Sequence, residues 1–417
     1  MNNKDKKSPM KVYPAQKPLQ GRVVIPSDKS ISHRAAIFGA LTGGEVLIRN
    51  FSKGADCKST LSVLKQLGAD IEYLSESDLK LYCKGLTEPN NVLDAGNSGT
   101  TIRLMSGVLA GQNFYSVLTG DESLRKRPMA RVINPLKQMG AQIWAKDNDT
   151  KAPISIKGAN LCGINYNSPI ASAQIKSCLL LAGLNASGKT VITEPHKSRD
   201  HSERMLKYLG ADIEVNGDTV SISRSQLTPK ELSIPGDISS AAFFMVAAAI
   251  VPGSEIVIEN IGLNQTRTGI IDVLKDMGAE IEILNNRTIC DEEVGDIKVS
   301  YSNLKGTTIS GEIIPRLIDE LPVIAVAATQ AEGKTIIKDA EDLRNKESDR
   351  IKAVCTELKK LGANIEETQD GFIVEGKTRL KGETTIECYH DHRLAMSGYV
   401  AGLISDSPIE INEFEWV

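Results

Sequence analysis

The sequence predicts an α/β protein of two domains, each made from three copies of one small βαβ-rich unit. Three observations lead to this fold class. The chain has 417 residues, which is too many for one hydrophobic core. Two short phrases also recur along its length, one of them five times and the other about six times. Phrases that return at a regular period indicate repeated structural units.

The first phrase combines the end of an amphipathic helix, a glycine at its C-cap and a following strand. It occurs as LKQLGADIEY (64–73), LKQMGAQIWA (136–145), LKYLGADIEV (206–215), LKDMGAEIEI (274–283) and LKKLGANIEE (358–367). The second phrase is a small-residue apolar helix, a turn and a strand. It occurs as ALTGGEVLIRN, VLAGQNFYSVL, NASGKTVITEP, AIVPGSEIVIEN, TQAEGKTIIKDA and AGLISDSPIEIN. The copies are too long for a solenoid, so three of them are expected to form one domain.

The domain boundaries follow from where the copies fall. The first three copies occupy about 21–231, and the other three begin near IPGDISS and run to the end. The sixth copy lacks its second helix, so we expect the N-terminal segment MKVYPAQKPLQG to complete it. The sequence thus predicts one domain from 1–20 together with 234–417 and another from 21–233. The two crossings, near 19–21 and 233–236, contain glycine or proline and are expected to act as a hinge.

One segment matches the P-loop pattern of nucleotide-binding proteins. GLNASGKT (183–190) fits G-x-x-x-x-G-K-[ST] at every position. A P-loop follows a strand and opens a helix, whereas this segment is preceded by the helical pattern SAQIKSCLLLAGL and followed by the β-branched run KTVITEP. It is one copy of the second repeated phrase, so we interpret it as a helix-to-strand turn.

Composition excludes several functional classes. Hydrophobic residues make up 41% of the chain and charged residues 24%, which is typical of a soluble globular protein. No apolar run approaches the length of a membrane span, and the charged start MNNKDKKSPM does not resemble a secretory signal. A net charge of −4 argues against nucleic-acid binding. The seven scattered cysteines lack C-x-x-C spacing, which favours reduced thiols in the cytoplasm and no zinc site.

Several helix starts carry cations where the helix dipole disfavours them, which suggests anionic ligands. SDKSISHRAA (27–36) places Lys29 and Arg34 around Ser30 or Ser32, either of which is expected to cap a helix. A capped helix with a solvated charged turn is the alternative interpretation. Further candidates are DAGNSGTTIR (94–103), LRKRPMARV (124–132), NSPIASAQIKS (167–177), HKSRDHSERM (196–205), LRNKESDRI (343–351) and YHDHRLAM (389–396).

Two of these segments have ordinary explanations as well. Lys346, Glu347 and Arg350 are expected to share one helical face, where they would form a surface ion pair. The His-Asp-His order in YHDHRLAM places adjacent side chains in different directions, and no metal is expected there. Taken together, the basic helix starts favour one interdomain cleft for substrates that carry several negative charges.

The motifs DKSISHR, GNSGTTIR, KRPM, SAQIKS, NKESDRI and DHRLAM occur in the order and approximate spacing of the 5-enolpyruvylshikimate-3-phosphate (EPSP) synthase family. The resemblance spans nearly the whole chain. It implies the two-domain enolpyruvyl transferase fold, in which each domain has three βαβαββ units with helices packed centrally and a cleft lies between the domains. The implied reaction transfers the enolpyruvyl group of phosphoenolpyruvate to the 5-hydroxyl of shikimate-3-phosphate and releases phosphate.

The resemblance also implies the site residues. Those for shikimate-3-phosphate are Lys29, Ser30, Arg34, Ser172, Ala173, Gln174, Arg199, Asp319 and Lys346. Those for phosphoenolpyruvate are Lys29, Gly99, Arg127, Gln174, Arg350 and Arg393. Asp319 matches the family's base for the 5-hydroxyl, and Glu347 and Lys29 are both candidates for protonating the methylene carbon. No cofactor, metal, membrane or nucleic acid is expected, and the chain is expected to be a cytoplasmic monomer.

RDHSERM, SAQIK and NQTR further resemble the class II subgroup, which includes glyphosate-tolerant members. The tolerant members carry alanine where this chain keeps Gly99, so we expect this chain to be sensitive to glyphosate. The chain ends EINEFEWV and lacks the K-[ST]-[FY]-P segment usual in the family, which implies either a truncated chain or a weaker phosphoenolpyruvate site.

Two other functions share part of this pattern. One is the UDP-N-acetylglucosamine enolpyruvyl transferase, whose mobile loop usually carries a cysteine that TGDESLRKRP lacks. The other is a non-catalytic anion-binding protein, which would not need Asp319, Glu347 and Lys29.

Overall fold

The computed structural model describes residues 8–414. Its helices are α1 (Lys29–Ala40), α2 (Ala55–Gln66), α3 (Gly99–Ala110), α4 (Ala130–Gln138), α5 (Lys146–Asp149), α6 (Ala173–Gly183), α7 (His201–Tyr208), α8 (Ile238–Ile250), α9 (Gly269–Asp276), α10 (Ile314–Leu317), α11 (Leu321–Gln330), α12 (Arg350–Lys360) and α13 (His392–Leu403). Short 3₁₀ segments lie at Leu124–Lys126, Gly311–Ile313 and Glu341–Asn345.

The strands are β1 (Met10–Val12), β2 (Gln20–Val24), β3 (Glu45–Arg49), β4 (Asp70–Tyr73), β5 (Leu79–Tyr82), β6 (Leu93–Asp94), β7 (Tyr115–Thr119), β8 (Gln142–Ala145), β9 (Lys151–Lys157), β10 (Asn165–Asn167), β11 (Thr190–Thr193), β12 (Ile213–Asn216), β13 (Thr219–Ile222), β14 (Leu232–Ser233), β15 (Glu255–Gly262), β16 (Glu280–Ile289), β17 (Glu292–Ser300), β18 (Thr308–Ile309), β19 (Gly333–Ile337), β20 (Asn364–Glu367), β21 (Phe372–Gly376), β22 (Thr385–Ile386) and β23 (Ile409–Ile411).

The described chain forms two compact units. Unit 1 comprises 8–25, Gly236–Arg287 and 294–414, and unit 2 comprises Pro26–Pro235 and Thr288–Glu293. Each unit has its own cluster of buried apolar side chains. The chain therefore has two hydrophobic cores, as its length requires.

The sheets repeat one pattern. Unit 2 contains the orders β14-β3-β5-β4, β6-β7-β9-β8 and β10-β11-β13-β12. Unit 1 contains β2-β15-β17-β16, except for the turn end of β16 and β17 at Thr288–Glu293, together with β18-β19-β21-β20 and the three-stranded β22-β23-β1. In every sheet the first pair is parallel and the second is antiparallel. Six mixed sheets of one design confirm the predicted repeat and the α/β class.

The first repeated phrase ends its helix as predicted. Gly68, Gly140, Gly210, Gly278 and Gly362 all have a positive φ, between 82° and 94°. Glycine adopts this left-handed conformation without the steric penalty of a Cβ, and it lets the chain leave the helix and enter the next strand.

The second phrase supplies the central helices of each unit. Most positions of α1, α3 and α6 in unit 2 are buried, as are most positions of α8, α11 and α13 in unit 1. A helix that is apolar on all sides is stable only inside a core. Helices α3 and α6 approach each other closely, since a Cβ built at Gly107 would lie 2.1 Å from the carbonyl oxygen of Cys178.

The P-loop-like segment connects α6 to β11, so the order is helix, turn and strand. This confirms the interpretation of GLNASGKT as a turn. None of the helices described within residues 8–414 is both long and apolar enough to cross a bilayer.

Candidate functional site

The first group of candidate side chains lies at the start of α1 in unit 2. Asp28 caps this helix, because its carboxylate accepts from the backbone N–H of Ile31 at 2.8 Å. The prediction that Ser30 or Ser32 provides the cap is therefore wrong. The negative charge of an aspartate at this position interacts favourably with the positive N-terminal end of the helix dipole. The Ser30 hydroxyl is therefore not needed for the cap. Lys29 is half-buried, and its Nζ lies 3.1 Å from Asp56.

Arg34 lies one turn further along α1 and is almost fully buried. Its guanidinium donates to the hydroxyls of Ser202 and Ser177, at 2.7 and 2.8 Å, and to the carbonyl of Ser30 at 3.0 Å. Burial lowers the pKa of Arg34 to about 10, and the nearby carboxylate of Glu203 partly offsets this effect. The side chain therefore stays cationic at neutral pH and holds the start of α1 against the region of Ser202.

The second group joins the starts of α3 and α6. The Gln174 amide donates to the hydroxyl of Thr100 at 3.1 Å and accepts from Arg103. Arg127 donates to the side chain of Asn97, in the turn before α3. A Cβ built at Gly99 would lie 3.1 Å from Arg103 and 3.4 Å from Arg127. Two guanidinium groups thus flank a glycine at a helix N-terminus, an arrangement suited to an anion.

The third group holds the start of α6 and the segment before α7. Ser172 caps α6, and its backbone N–H donates to Glu194 at 3.0 Å. Ala173 is the first residue of α6 and is half-exposed. Arg199 is also half-exposed, and its charge is one of the effects that lower the pKa of Arg34. All nine candidates of unit 2 lie within five residues of a helix start, namely Lys29, Ser30, Arg34, Gly99, Arg127, Ser172, Ala173, Gln174 and Arg199.

The unit 1 candidates gather around Arg350, whose side chain is only 1% exposed. It donates to Asp391 at 2.7 Å, to Glu347 at 2.7 Å and to Asp319 at 3.1 Å. Burial alone would lower the pKa of Arg350, but the carboxylates of Asp391, Glu347 and Asp319 raise it above its ordinary value. One permanently charged guanidinium therefore orients three carboxylates.

The sequence prediction for this segment is partly wrong. Helix α12 begins at Arg350, so Lys346 and Glu347 precede it and share no helical face with Arg350. Asp349 caps the helix by accepting from Lys352 N–H, which turns the chain just before Arg350. Arg350 is consequently directed into the unit, where its carboxylate partners lie, and its ion pair with Glu347 is formed with a buried guanidinium instead of on the surface.

Two more cations approach the same carboxylates. Lys346 lies 3.9 Å from Asp319, and Arg393 lies 3.9 Å from both Asp319 and Glu320. All five candidates in unit 1, namely Asp319, Lys346, Glu347, Arg350 and Arg393, therefore belong to one cluster. It offers cations for an anionic ligand and two partly exposed carboxylates, Asp319 and Glu347, for proton transfer.

Sequence reasoning did not predict the contacts of two side chains that organise these clusters. Asp391 caps α13, is fully buried and binds Arg350 through both oxygens. Arg103 fixes Gln174 and also donates to the carbonyl of Pro128 at 3.0 Å. Asp391 carried a signal, since it stands directly before the apolar helix of DHRLAM, but that signal indicates a cap and not a partner for Arg350.

Comparison with known proteins identifies what the chain is similar to. The sequence model of a family described as EPSP synthase (3-phosphoshikimate 1-carboxyvinyltransferase) matches residues 14–417. A 3-phosphoshikimate 1-carboxyvinyltransferase of Petrotoga mobilis is 54% identical over 405 residues, covering 96% of this chain and 94% of the relative. The Bacillus subtilis protein of that name is 54% identical over 397 residues, covering 94% and 92%.

A solved structure agrees with these relatives. EPSP synthase from Acinetobacter baumannii superposes with a TM-score of 0.88 at 43% identity, and the match covers 97% of this chain and 94% of that one.

Proposed function

The chain belongs to the EPSP synthase family, and from this premise we propose a role for each side-chain cluster described above. Its activity is that of a 3-phosphoshikimate 1-carboxyvinyltransferase of the shikimate pathway, which leads to the aromatic amino acids. The enzyme transfers the enolpyruvyl group of phosphoenolpyruvate to the 5-hydroxyl of shikimate-3-phosphate and releases phosphate. Its fold is also the one that the resemblance implied.

Shikimate-3-phosphate is proposed to bind Lys29, Ser30, Arg34, Ser172, Ala173, Gln174 and Arg199 of unit 2, together with Asp319 and Lys346 of unit 1. The observation that supports the unit 2 part is the convergence of two helix starts with buried Arg34 and half-exposed Arg199. Helix N-termini and guanidinium groups are the donors that phosphate and carboxylate groups require.

Phosphoenolpyruvate is proposed to bind Lys29, Gly99, Arg127 and Gln174 of unit 2 and Arg350 and Arg393 of unit 1. The guanidinium groups beside Gly99 support this assignment in unit 2. Glycine leaves room for a ligand to approach the α3 N-terminus closely. Gln174, held by Thr100 and Arg103, is proposed to lie between the two substrates.

The acid–base roles rest on the cluster around Arg350, and this is the observation that carries the mechanism. Asp319 is proposed to take the proton of the attacking 5-hydroxyl, since it is partly exposed and oriented by Arg350. Glu347 and Lys29 are the candidates for adding a proton to the methylene carbon. The tetrahedral intermediate keeps its negative charges, so guanidinium groups fixed beforehand would stabilise it without reorganising.

We further propose that the chain is a class II member, on the strength of RDHSERM, SAQIK and NQTR. Because Gly99 is retained beside Arg103 and Arg127, inhibition by glyphosate is expected in the assay below.

We also propose that the domains are 1–20 with 234–417 and 21–233, and that the crossings near 19–21 and 233–236 form a hinge. We also propose a cytoplasmic monomer, and the seven cysteines, all within the described residues and in no disulfide, support the compartment.

The test is phosphate release from phosphoenolpyruvate, measured with and without shikimate-3-phosphate. We expect release only when both substrates are present. Asp319→Asn keeps the size of the side chain but removes its basicity, so turnover should fall by about 10²–10⁴-fold. Asp272→Asn is the matched control, because it removes a carboxylate of the same unit that pairs with Arg316 at the surface.

Three results would count against these proposals. Phosphate release at the same rate with and without shikimate-3-phosphate would contradict the transferase activity. Turnover in folded Asp319→Asn within about tenfold of the parent would exclude Asp319 as the base. Equal losses in Asp319→Asn and Asp272→Asn would indicate a general effect of charge and not a catalytic one.

A further inference from the structure

Unit 2 contains a buried cluster of three charged side chains that the proposed mechanism does not use. Lys176 Nζ lies 2.7 Å from Glu194 and 2.8 Å from Glu203, and the three side chains are only 3%, 2% and 5% exposed. Burying charges costs more than their mutual attraction usually returns, and apolar residues of the same volume often give equal or greater stability. Stability alone therefore does not explain this cluster.

The cluster is attached to two segments of the proposed shikimate-3-phosphate site. Glu194 accepts from the backbone N–H of Ser172 at 3.0 Å through one oxygen and from that of Ser198 at 3.2 Å through the other. Lys176 also donates to the carbonyl of Ser198 at 3.4 Å. Ser172 begins the run that contains Ala173 and Gln174, and Ser198 immediately precedes Arg199. One carboxylate thus fixes both segments.

The third member connects the cluster to Arg34. Glu203 lies in α7 next to Ser202, whose hydroxyl accepts from Arg34 at 2.7 Å. Arg34 in turn donates to the Ser30 carbonyl. The start of α1, the start of α6 and the segment before α7 are therefore held together by a single buried network.

We propose that Lys176, Glu194 and Glu203 are positioning residues for shikimate-3-phosphate. They set the separation between the start of α6 and the Arg199 segment, and they act through Ser172 and Ser198 without touching the substrate. This inference rests on the assignment of Ser172, Arg199 and Arg34 to the shikimate-3-phosphate site in the proposed function. It predicts that damage to the cluster weakens one substrate more than the other.

The test compares Glu194→Ala with Asp78→Ala. Asp78 is the matched control because it also binds a backbone N–H, that of Asn50, and a cation, Arg49, in the same unit. Calorimetry gives the Kd of shikimate-3-phosphate, and steady-state kinetics give the KM of phosphoenolpyruvate with shikimate-3-phosphate at saturation. For Glu194→Ala we expect the Kd to rise between about tenfold and about a hundredfold, the range expected for binding groups displaced by up to ~1 Å.

The KM of phosphoenolpyruvate and the kcat at saturation should change far less in Glu194→Ala. Asp78→Ala should lose stability but keep its affinity for shikimate-3-phosphate. Glu194→Gln can still accept from Ser172 N–H, so its affinity should lie between those of the parent and Glu194→Ala. This partial rescue is a result that general destabilisation would not produce.

The outcomes separate the inference from the function on which it rests. If the parent enzyme neither binds shikimate-3-phosphate nor turns over, the proposed function fails. If the parent is active and folded Glu194→Ala binds shikimate-3-phosphate equally well, the positioning role is overturned. Equal losses for both substrates would also overturn it. Should Glu194→Ala not fold, Glu194→Gln decides the question, and unchanged affinity in that variant refutes the proposal.

Discussion

At the scale of single residues, His33 shows how burial fixes a protonation state. Its ring is fully buried in α1, with Nδ1 2.7 Å from the Thr60 hydroxyl. The Thr60 hydroxyl lies 2.6 Å from that of Thr101, which in turn lies 2.8 Å from that of Ser98, the cap of α3. Burial lowers the pKa of His33 to about 3, although the carboxylate of Asp56 partly opposes this. The ring therefore stays neutral and links the start of α3 to α1.

This lowered pKa predicts a loss of stability in acid. Between the ordinary pKa of 6.5 and about 3, the unfolded chain binds a proton at His33 that the folded chain excludes. The stabilising contribution of neutral His33 to the free energy of unfolding is thus fully present above pH 6.5. Below pH 6.5 this free energy falls by up to about 1.4 kcal/mol per pH unit. Urea unfolding at pH 7 and pH 5 should show a loss smaller by about 2 kcal/mol in His33→Asn than in the parent.

The control for this prediction is His390→Asn, since the side chain of His390 is 64% exposed. An equal loss in the parent and in His33→Asn would show that His33 does not exclude a proton in the folded chain.

At the scale of secondary-structure elements, the contact between α3 and α6 depends on one glycine. A Cβ at Gly107 would lie 2.1 Å from the Cys178 carbonyl oxygen, and a backbone atom cannot move aside as a flexible side chain does. Gly107→Ala should therefore separate the two helices and lower the free energy of unfolding by about 1–3 kcal/mol or more. Because α3 and α6 carry Gly99 and Gln174 at their starts, the KM of phosphoenolpyruvate should rise as well.

Gly39 in α1 provides the matched control. A Cβ there would make ordinary contacts of 3.6–3.9 Å with the side chains of Val46 and Ile48. Alanine is the better helix former, so Gly39→Ala should stabilise the chain by about 0.5–1 kcal/mol. Urea unfolding measures both variants, and a shift of the same sign in both would contradict the proposed role of the α3–α6 contact.

The elements were the part of the fold that could be predicted, because their signals are local. In the first repeated phrase a glycine ends each helix. Gly68 and Gly278, for example, can be recognised from the neighbouring residues alone, without knowledge of any tertiary contact. The arrangement of the sheets follows from their repetition. Helix caps were less predictable, because Asp28, Ser30 and Ser32 are all acceptable caps and only the tertiary environment selects among them.

The candidate site was predicted in its members but not in its connections. The resemblance to the family identified Arg350 as a site residue. Its partner Asp391 lies 41 positions further along the chain, and no local sequence pattern predicts a contact between residues so far apart. Lys176, Glu194 and Glu203 look like ordinary surface charges in the sequence, because isolated charged residues are usually solvated. Their burial depends on packing that brings α6, β11 and α7 together.

At the scale of the whole molecule, the proposed substrates carry the same sign of charge as the protein. The chain has a net charge of −4, while its candidate cations form one set at the helix starts of unit 2 and one cluster around Arg350 in unit 1. Shikimate-3-phosphate is proposed to bind cations from both clusters. We propose that binding of one ligand by residues of both units acts through the hinge proposed near 19–21 and 233–236.

This proposal predicts that saturating shikimate-3-phosphate reduces the radius of gyration measured by small-angle X-ray scattering. Inorganic phosphate at the same concentration should produce no change, because it can occupy one cluster without joining the two.

Lys346→Ala removes a unit 1 cation 3.9 Å from Asp319 but leaves the unit 2 cluster intact. This variant should still bind shikimate-3-phosphate, more weakly, with a smaller decrease in radius. If the parent binds shikimate-3-phosphate at full occupancy and keeps its radius, the two clusters do not close around a shared ligand, and the hinge has no role in substrate binding.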